Sequence, residues 1–454
     1  MSEPRTLPTA RLGALITALR ARGYTVVGPT ERDGGVVFAE VHGVADLPVG
    51  RRDEQAAGRY RLEAGVDGEV FGVVNGAGSL KPFFFAAEEP LLGAKAQRVP
   101  GLGMPPEHPT LPSLLRDAGW HTALVGKWHL GYPPHFGPHK SGYLEHFGPY
   151  SGGVDYFNHQ TMKGRHDLWD NGEPAHREGY LTDLLSQRAI EVVRRSAAAS
   201  QPFLLSLHYT APHWPWEDRG DADVPASLNG AIDHADGGSI HTYRRMIHHM
   251  DEGIGQLLDE LDRLGLANDT LVVFTSDNGG ERFSDNWPLI GGKMDLTEGG
   301  IRVPTIARWP GRVAAGTVSD ELVITMDWSA TMLAAAGVAA HPDYPLDGVS
   351  LLERLADPAL PTSDRALFWR MKYRDQHAVR IGRWKYLRIG EFEYLFDLGR
   401  DERERANRAA HEPQRLAAMR QAYADWAASM PPIPPDADYD LRITERDMPG
   451  AHLA

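Results

Sequence analysis

Four short runs hold the residues with the chemistry to act on a ligand. Thr275-Ser276-Asp277-Asn278-Gly279-Gly280 closes an apolar stretch. A carboxylate and an amide at that point suit a hard divalent cation, which takes oxygen ligands; Asp-Asn-Gly is equally good turn chemistry. Gly126-Lys127-Trp128-His129 closes another apolar stretch. Residues two apart on an extended chain share a face, so Lys127 and His129 converge there if the strand continues. A cation beside an imidazole fits an anion plus proton transfer, and a solvated lysine beside a packed histidine is the alternative. Thr210-Ala211-Pro212-His213-Trp214-Pro215 is a stiff loop that either aims His213 into a site or leaves it idle. Gly291-Gly292-Lys293-Met294 allows close backbone approach, with Lys293 placed for an oxyanion; a flexible glycine loop with an exposed lysine fits as well.

These runs need a scaffold that brings them to one edge. From residue 110 onward, helical and strand patterns alternate, which predicts a mostly parallel sheet sandwiched by helices. Helix 110–118 leads to strand 122–125, helix 181–195 to strand 203–209, and helix 242–264 to strand 271–276. Strand 303–308 and helix 327–336 follow. Ligands in such sheets collect at the carboxyl ends of the strands, where Lys127, His213 and Asp277 fall. Strands at 366–371, 377–381, 384–388 and 394–397, then a helix at 413–430, predict a small C-terminal antiparallel subdomain. The N-terminal stretch reads as a small α+β segment: a helix at 12–22, strands at 24–27 and 36–41, and a hairpin of 59–63 with 70–74. The expected divisions are 1–87, 88–362 and 363–454.

The chain has 454 residues, 42% of them hydrophobic, and carries a net charge of −14 from 47 basic and 61 acidic side chains. That balance argues against a nucleic-acid partner, which needs clustered Lys and Arg. An anionic small molecule is still accommodated by a local cationic pocket. Cys is absent, which excludes disulfides, thiolate catalysis and an iron–sulfur cluster. The first residues show no signal-peptide pattern, and no run of about 18 apolar residues predicts a membrane span. The expectation is a cytoplasmic protein without membrane partners.

Taken in order, the segments resemble the sulfatase family of the alkaline-phosphatase superfamily across about two thirds of the chain. The carriers are Pro109-Thr110-Leu111-Pro112-Ser113-Leu114-Leu115-Arg116-Asp117-Ala118-Gly119, Gly126-Lys127-Trp128-His129-Leu130-Gly131, Ala211-Pro212-His213, Ser276-Asp277-Asn278-Gly279-Gly280, and Gly292-Lys293 with Glu298-Gly299-Gly300-Ile301-Arg302-Val303-Pro304. The resemblance implies an alkaline-phosphatase-like α/β fold and hydrolysis of a small-molecule sulfate ester. Asp277 and Asn278 would be ligands of a divalent cation, Ca2+ ahead of Mg2+. Lys127 and Lys293 would hold sulfate oxygens. His129 would hold the oxidised nucleophile, and His213 would protonate the leaving alcohol. A phosphate or phosphonate ester hydrolase of the same superfamily and a non-catalytic anion-binding module are the alternatives.

The resemblance has a gap, which makes the expected fold a truncated one. Family members begin with a strand bearing two further metal-binding Asp residues, then a Cys/Ser-x-Pro-x-Arg segment whose first residue becomes formylglycine. This sequence has no Cys and no Ser-x-Pro-x-Arg, and Ile290 stands where many relatives place Arg. Sulfate-ester turnover is therefore expected to be impaired, and the cation weakly held. Residues 1–85 instead resemble, more weakly, the start of iron–sulfur subunits of hydrogenase or sulfite-reductase type. The carriers are Leu19-Arg20-Ala21-Arg22-Gly23-Tyr24-Thr25-Val26-Val27-Gly28-Pro29, and Asp46-Leu47-Pro48-Val49-Gly50 with Gly58-Arg59-Tyr60-Arg61-Leu62. The economical reading is a fusion joined between Lys81 and Pro100. The alcohol would be met by variable loops such as 132–156, where His135, Phe136, His139, Tyr143 and Tyr150 either line a pocket or pack.

Overall fold

The computed structural model describes residues 12–22, 26–32, 35–47, 51–56, 59–64, 103–161, 164–223 and 238–433. The chain divides into two units, Met1–Ala87 and Glu88–Ala454.

In the first unit, helix α1 (Leu12–Ala21) sets Ile16 against Val41 and Leu47, with Leu12, Val26 and Val44 packed around them. Strand β1 (Val27–Arg32) pairs antiparallel with β2 (Gly35–Glu40). Strand β3 (Arg51–Ala56) pairs antiparallel with β4 (Arg59–Ala64). Thus 59–64 has a partner on its N-terminal side that the sequence pattern hides: Arg-Arg-Asp-Glu-Gln-Ala shows no apolar alternation. The strand expected at 70–74 and the proposed join lie outside the described residues.

The second unit opens with helix α2 (Leu111–Asp117). Thr110 caps it, its hydroxyl accepting from the Ser113 N–H at 3.1 Å while the Thr110 N–H donates to the Ser113 hydroxyl at 2.8 Å. Strand β5 (His121–Gly126) follows and is buried from Thr122 onward. Its parallel partners are β6 (Glu145–Gly148) on one side and β9 (Phe203–His208) on the other. Two-residue strands β7 (Trp169–Asp170) and β8 (Glu173–Pro174) extend the sheet antiparallel, giving the order β8-β7-β6-β5-β9. The mixed α/β unit with a mostly parallel central sheet is as the alternating pattern predicts. Strand β6 was not legible. It lies in the stretch read as a loop, and Glu-His-Phe-Gly becomes a strand because both its faces are covered. Glu145 is buried against Arg188 and Arg195, and His146 stacks on Tyr150 at 5.0 Å.

Helix α3 (Leu181–Ala198) packs Leu181, Leu185, Ala189 and Val192 on the sheet, at the spacing of one helical face. Helix α4 (Ile240–Arg263), capped by Ser239, lies beside it. Glu260 on α4 accepts from Arg194 on α3 at 2.8 Å. Strand β10 (Val272–Thr275) then pairs antiparallel with β11 (Thr305–Arg308), in a sheet of their own. Expected within one parallel sheet, these two strands instead reverse direction. The link 276–304 is long, but its single helix is the one-turn α5 (Glu298–Ile301), with no longer helix to run back along the sheet, the usual way a parallel partner is reached. Among the described residues, β9 and β10 each have a strand on one side only. Their residues are half-buried or exposed, unlike those of β5.

Helices α6 (Thr325–Ala336) and α7 (Leu352–Ala356) lead to a four-stranded antiparallel sheet. Its strands are β12 (Ala366–Met371), β13 (Gln376–Ile381), β14 (Trp384–Ile389) and β15 (Phe392–Asp397), in sequence order. Helix α8 (Pro413–Ser429) covers one face, with Met419 buried against Val379, Tyr386 and Leu395. The other face holds Ala378, Leu387 and Phe396 against Leu296.

Candidate functional site

Strand β5 ends at Gly126, whose φ is 117°. A side chain there would stand 1.9 Å from the His208 carbonyl oxygen, so only glycine lets the ends of β5 and β9 close together. Lys127 follows, its N–H donating to that carbonyl at 2.9 Å. His129 is not reached by simple strand alternation. The backbone turns left-handed there, φ 61°, and the His129 N–H donates to the Tyr150 carbonyl at 2.9 Å. Gly152 lies under the ring; a Cβ on it would come within 2.3 Å of the imidazole. Thus the strand end and the Tyr150–Gly152 turn share the positioning of His129.

His213 sits on the loop after β9. Its N–H donates to the Thr210 carbonyl at 2.9 Å, and its carbonyl accepts from the Tyr156 hydroxyl at 2.9 Å. The ring Nδ1 is 2.7 Å from the Trp214 carbonyl oxygen. A carbonyl only accepts, so Nδ1 carries the proton and Nε2 is left as an acceptor. Facing it at 3.2 Å is Nζ of Lys293. Burial first, and then the Lys293 and Lys127 ammonium groups, hold His213 well below the ordinary histidine range. The ring is neutral at pH 7. Burial likewise lowers Lys127 to about 8, opposed by Asp277 and reinforced by Lys293.

Lys293 arrives on a loop without strand structure. Its N–H donates to the Gly280 carbonyl at 2.9 Å, and its Nζ pairs with Glu281 at 2.6 Å. Glu281 was not singled out from the sequence; the signal available was only its place after Asp277-Asn278-Gly279-Gly280. Asp277 is exposed at the end of β10, close enough to Lys127 to act on its charge. Asn278 follows it, and the Ser276 hydroxyl donates to the Asn278 carbonyl at 2.9 Å. Lys127, His129, His213, Lys293 and Asp277 therefore act on one electrostatic neighbourhood, with Asn278 carried on the same strand end.

The arrangement gathers two ammonium groups and a neutral imidazole, with Glu281 balancing Lys293. It is a poor cation cage. Asp277 and Asn278 offer two oxygen ligands where Ca2+ takes six to eight. Among the described residues, no group of three or more His, Cys, Asp or Glu is placed to hold a metal. These donors do not fit a firmly held ion.

Of the aromatic residues in 132–156, Phe136, Tyr143 and Tyr150 are buried and pack. Tyr143 donates from its hydroxyl to Ser206 at 2.9 Å.

Comparison with known proteins places this geometry. The family model described as Sulfatase matches residues 93–338. A second, described as N-sulphoglucosamine sulphohydrolase, C-terminal, matches 292–421. N-acetylgalactosamine-6-sulfatase from Canis lupus familiaris is 34% identical over 303 residues, covering 62% of this chain and 55% of that protein. The uncharacterized sulfatase YdeN from Escherichia coli (strain K12) is 30% identical over 298 residues, covering 60% and 51%. The chain thus spans about half the length of the curated relatives it matches. Among solved structures, Ps i-CgsB in complex with k-i-k-neocarrahexaose superposes with a TM-score of 0.64 at 29% identity, covering 72% of this chain and 75% of that one. Nothing in these comparisons supports the resemblance of residues 1–85 to iron–sulfur subunits.

Proposed function

The chain belongs to the sulfatase family, and we propose on that premise that its site binds the sulfo group of a sulfate ester between Lys127 and Lys293 without efficient hydrolysis. The observation that carries this reading is the meeting of the Lys293 ammonium with Nε2 of a neutral His213, 3.2 Å apart, beside Lys127. Sulfate oxygens would take the two ammonium groups, displacing Glu281 from Lys293. The bound anion would offset both positive charges, moving His213 back toward its ordinary range. Its Nε2 would then take a proton and face the ester oxygen as the acid for the leaving alcohol. His129 would lie where the family's oxidised nucleophile is held.

The family generally works with a divalent cation. In this chain we assign it to Asp277 and Asn278, Ca2+ before Mg2+, at low affinity. No Cys and no Ser-x-Pro-x-Arg occurs in the sequence, so the family's covalent route has no residue to start from. Binding that favours the ground state as much as the transition state does not accelerate the chemistry. A cytoplasmic location belongs to the same proposal.

Calorimetric titration with sodium sulfate tests the site. Lys127→Ala and Lys293→Ala should each weaken binding about tenfold, the loss of one charged contact worth about 1.4 kcal/mol. Wild-type protein that takes up no sulfate would sink the reading. An assay with 4-nitrophenyl sulfate and added Ca2+ or Mg2+ tests the other half. Turnover above blank, abolished by either substitution, would show that hydrolysis survives.

A further inference from the structure

We propose that Asp155 and Glu217 form a proton-sharing carboxyl pair that positions His213: the loop carrying this imidazole closes by taking up one proton and opens by giving it off. Sulfate binding, as read above, shares with this device only the place of His213. Both carboxyl residues are buried, Asp155 at 1% and Glu217 at 0% exposed. Tyr156 fastens the loop at two points four residues apart. Its hydroxyl donates to the His213 carbonyl at 2.9 Å, and its N–H donates to Oε2 of Glu217 at 3.0 Å. The Tyr180 hydroxyl donates to the Glu217 carbonyl at 2.8 Å. Tyr156 is itself fully buried and stacks on Tyr180 at 5.3 Å. The seat of His213 therefore depends on where the Glu217 carboxyl lies.

That carboxyl lies against another. Oδ1 of Asp155 accepts from the Phe157 and Asn158 N–H groups at 2.9 and 2.6 Å. Its Oδ2 is buried and, among the described residues, is reached by no N–H or alcohol hydroxyl. The Glu217 carboxyl is hydrogen-bonded to Asp155. Two ionised carboxylates offer only acceptors, so that bond needs a proton. Burial first, and then the Asp155 charge, raise Glu217 from 4.5 to about 8, against the pull of the Tyr156 N–H. Asp221 adds to the rise. His159, held down by burial, is drawn up by Asp155. From α4, Arg245 pairs with Asp218 at 2.7 Å, and His249 lies edge-on to Tyr180 at 5.9 Å. Tyr156 and Tyr180 are both pushed up by burial and stay neutral throughout this range.

The direction of the effect follows. In the opened loop Glu217 is wetted and gives up its proton above about 4.5; in the closed loop it keeps it up to about 8. Opening thus releases one proton across that window. The opened fraction should grow about tenfold per pH unit there and level off beyond about pH 8.

Hydrogen–deuterium exchange of the full chain, followed in peptides over residues 210–217, tests this. Exposure times are scaled to cancel the pH dependence of intrinsic exchange. Below 6.5, the ordinary histidine value, the opened His213 takes up a proton of its own, so the window starts there. Wild-type protection should fall about tenfold per pH unit from there to about pH 8. Glu217→Gln brings its own N–H to Asp155 and still accepts from Tyr156, so its protection should be level. Asp155→Asn should remain protected at neutral pH for the same reason. The double variant sets two amide NH2 groups face to face and should lose protection about tenfold at every pH. A pair that served only to fill space would leave this isosteric double variant as protected as the singles. That outcome, a level wild-type profile, or a slope that persists in Glu217→Gln overturns the inference. None of these measurements uses sulfate, so the carboxyl pair and the sulfate site can fail independently.

Discussion

The two lysines whose charges act on His213 are held by different parts of the unit. Lys127 is carried by β5, a strand paired on both sides and buried along five of its six residues. Its support is local: an apolar run, then a polar residue at the strand's end. Lys293 has no strand beneath it. Its loop is clamped from the C-terminal sheet, whose residues lie some eighty positions further along. The Gln376 side chain donates to the Met294 carbonyl and accepts from the Leu296 N–H, both at 2.9 Å. Arg374 pairs with Asp295 at 3.2 Å. Lys385, fully buried, pairs with Glu298 at 2.9 Å and with Glu404 at 2.8 Å. One lysine is placed by secondary structure and the other by tertiary bracing, so damage to the C-terminal sheet should reach the site through Lys293 alone.

The hardest blow to the bracing is Lys385→Ala. It leaves Glu298 and Glu404 buried, with Arg380 as the remaining cation on Glu298. Breaking a buried pair in this way should cost about 3–5 kcal/mol, read from urea unfolding, and should weaken sulfate binding in the fraction that folds. A loss within about 0.5 kcal/mol, as for an ordinary surface change, would mean the trio is not what clamps the loop. Gln376→Ala comes next. It strips hydrogen bonds from the buried Leu296 N–H and the part-buried Met294 carbonyl and should cost about 1–3 kcal/mol. Its more telling readout is sulfate affinity. If stability falls while affinity holds, Lys293 does not depend on the brace.

The smallest effect sharpens the comparison from the side of Lys127. Its ammonium is charged below about 8 and neutral above. Sulfate affinity should therefore be level up to that pH and decline beyond it, by about tenfold if one charged contact is lost. The groups acting on it are Asp277 and Glu281, which favour the charge, and Lys293, which opposes it. In Lys127→Ala the decline should vanish. A wild-type profile that stays flat to about pH 10, where an unperturbed lysine titrates, would show that burial does not depress this group.

The same contrast explains how much the sequence disclosed. Helices α2, α3, α4 and α6, strand β5 and all four C-terminal strands were legible to within a few residues. Each carries its own apolar period, and α2 also carries its own cap. The positions of Lys127 and Asp277 just past strand ends were legible because each follows such a run. Strands β3 and β6 were hidden, since charged and polar residues form them only through pairing and cover supplied from elsewhere. Glu281 and Gln376 were hidden for the same reason. Neither lies in a pattern, and their importance comes from which distant atom they meet. The antiparallel return of β11 was misjudged because alternation reports elements, not the direction in which a link brings them home.

The buried trio of Glu298, Lys385 and Glu404 has a consequence for heredity. Recombination that swaps everything before residue 100 leaves the trio whole, so a new N-terminal segment can be acquired without disturbing it. A crossover between residues 298 and 385 instead pairs a glutamate from one parent with whatever the other parent holds at the lysine's place. Any mismatch strands a charge in the interior. The two family models overlap across 292–338, and that shared stretch contains Glu298. The Lys293 loop and the C-terminal sheet should therefore be inherited as one block.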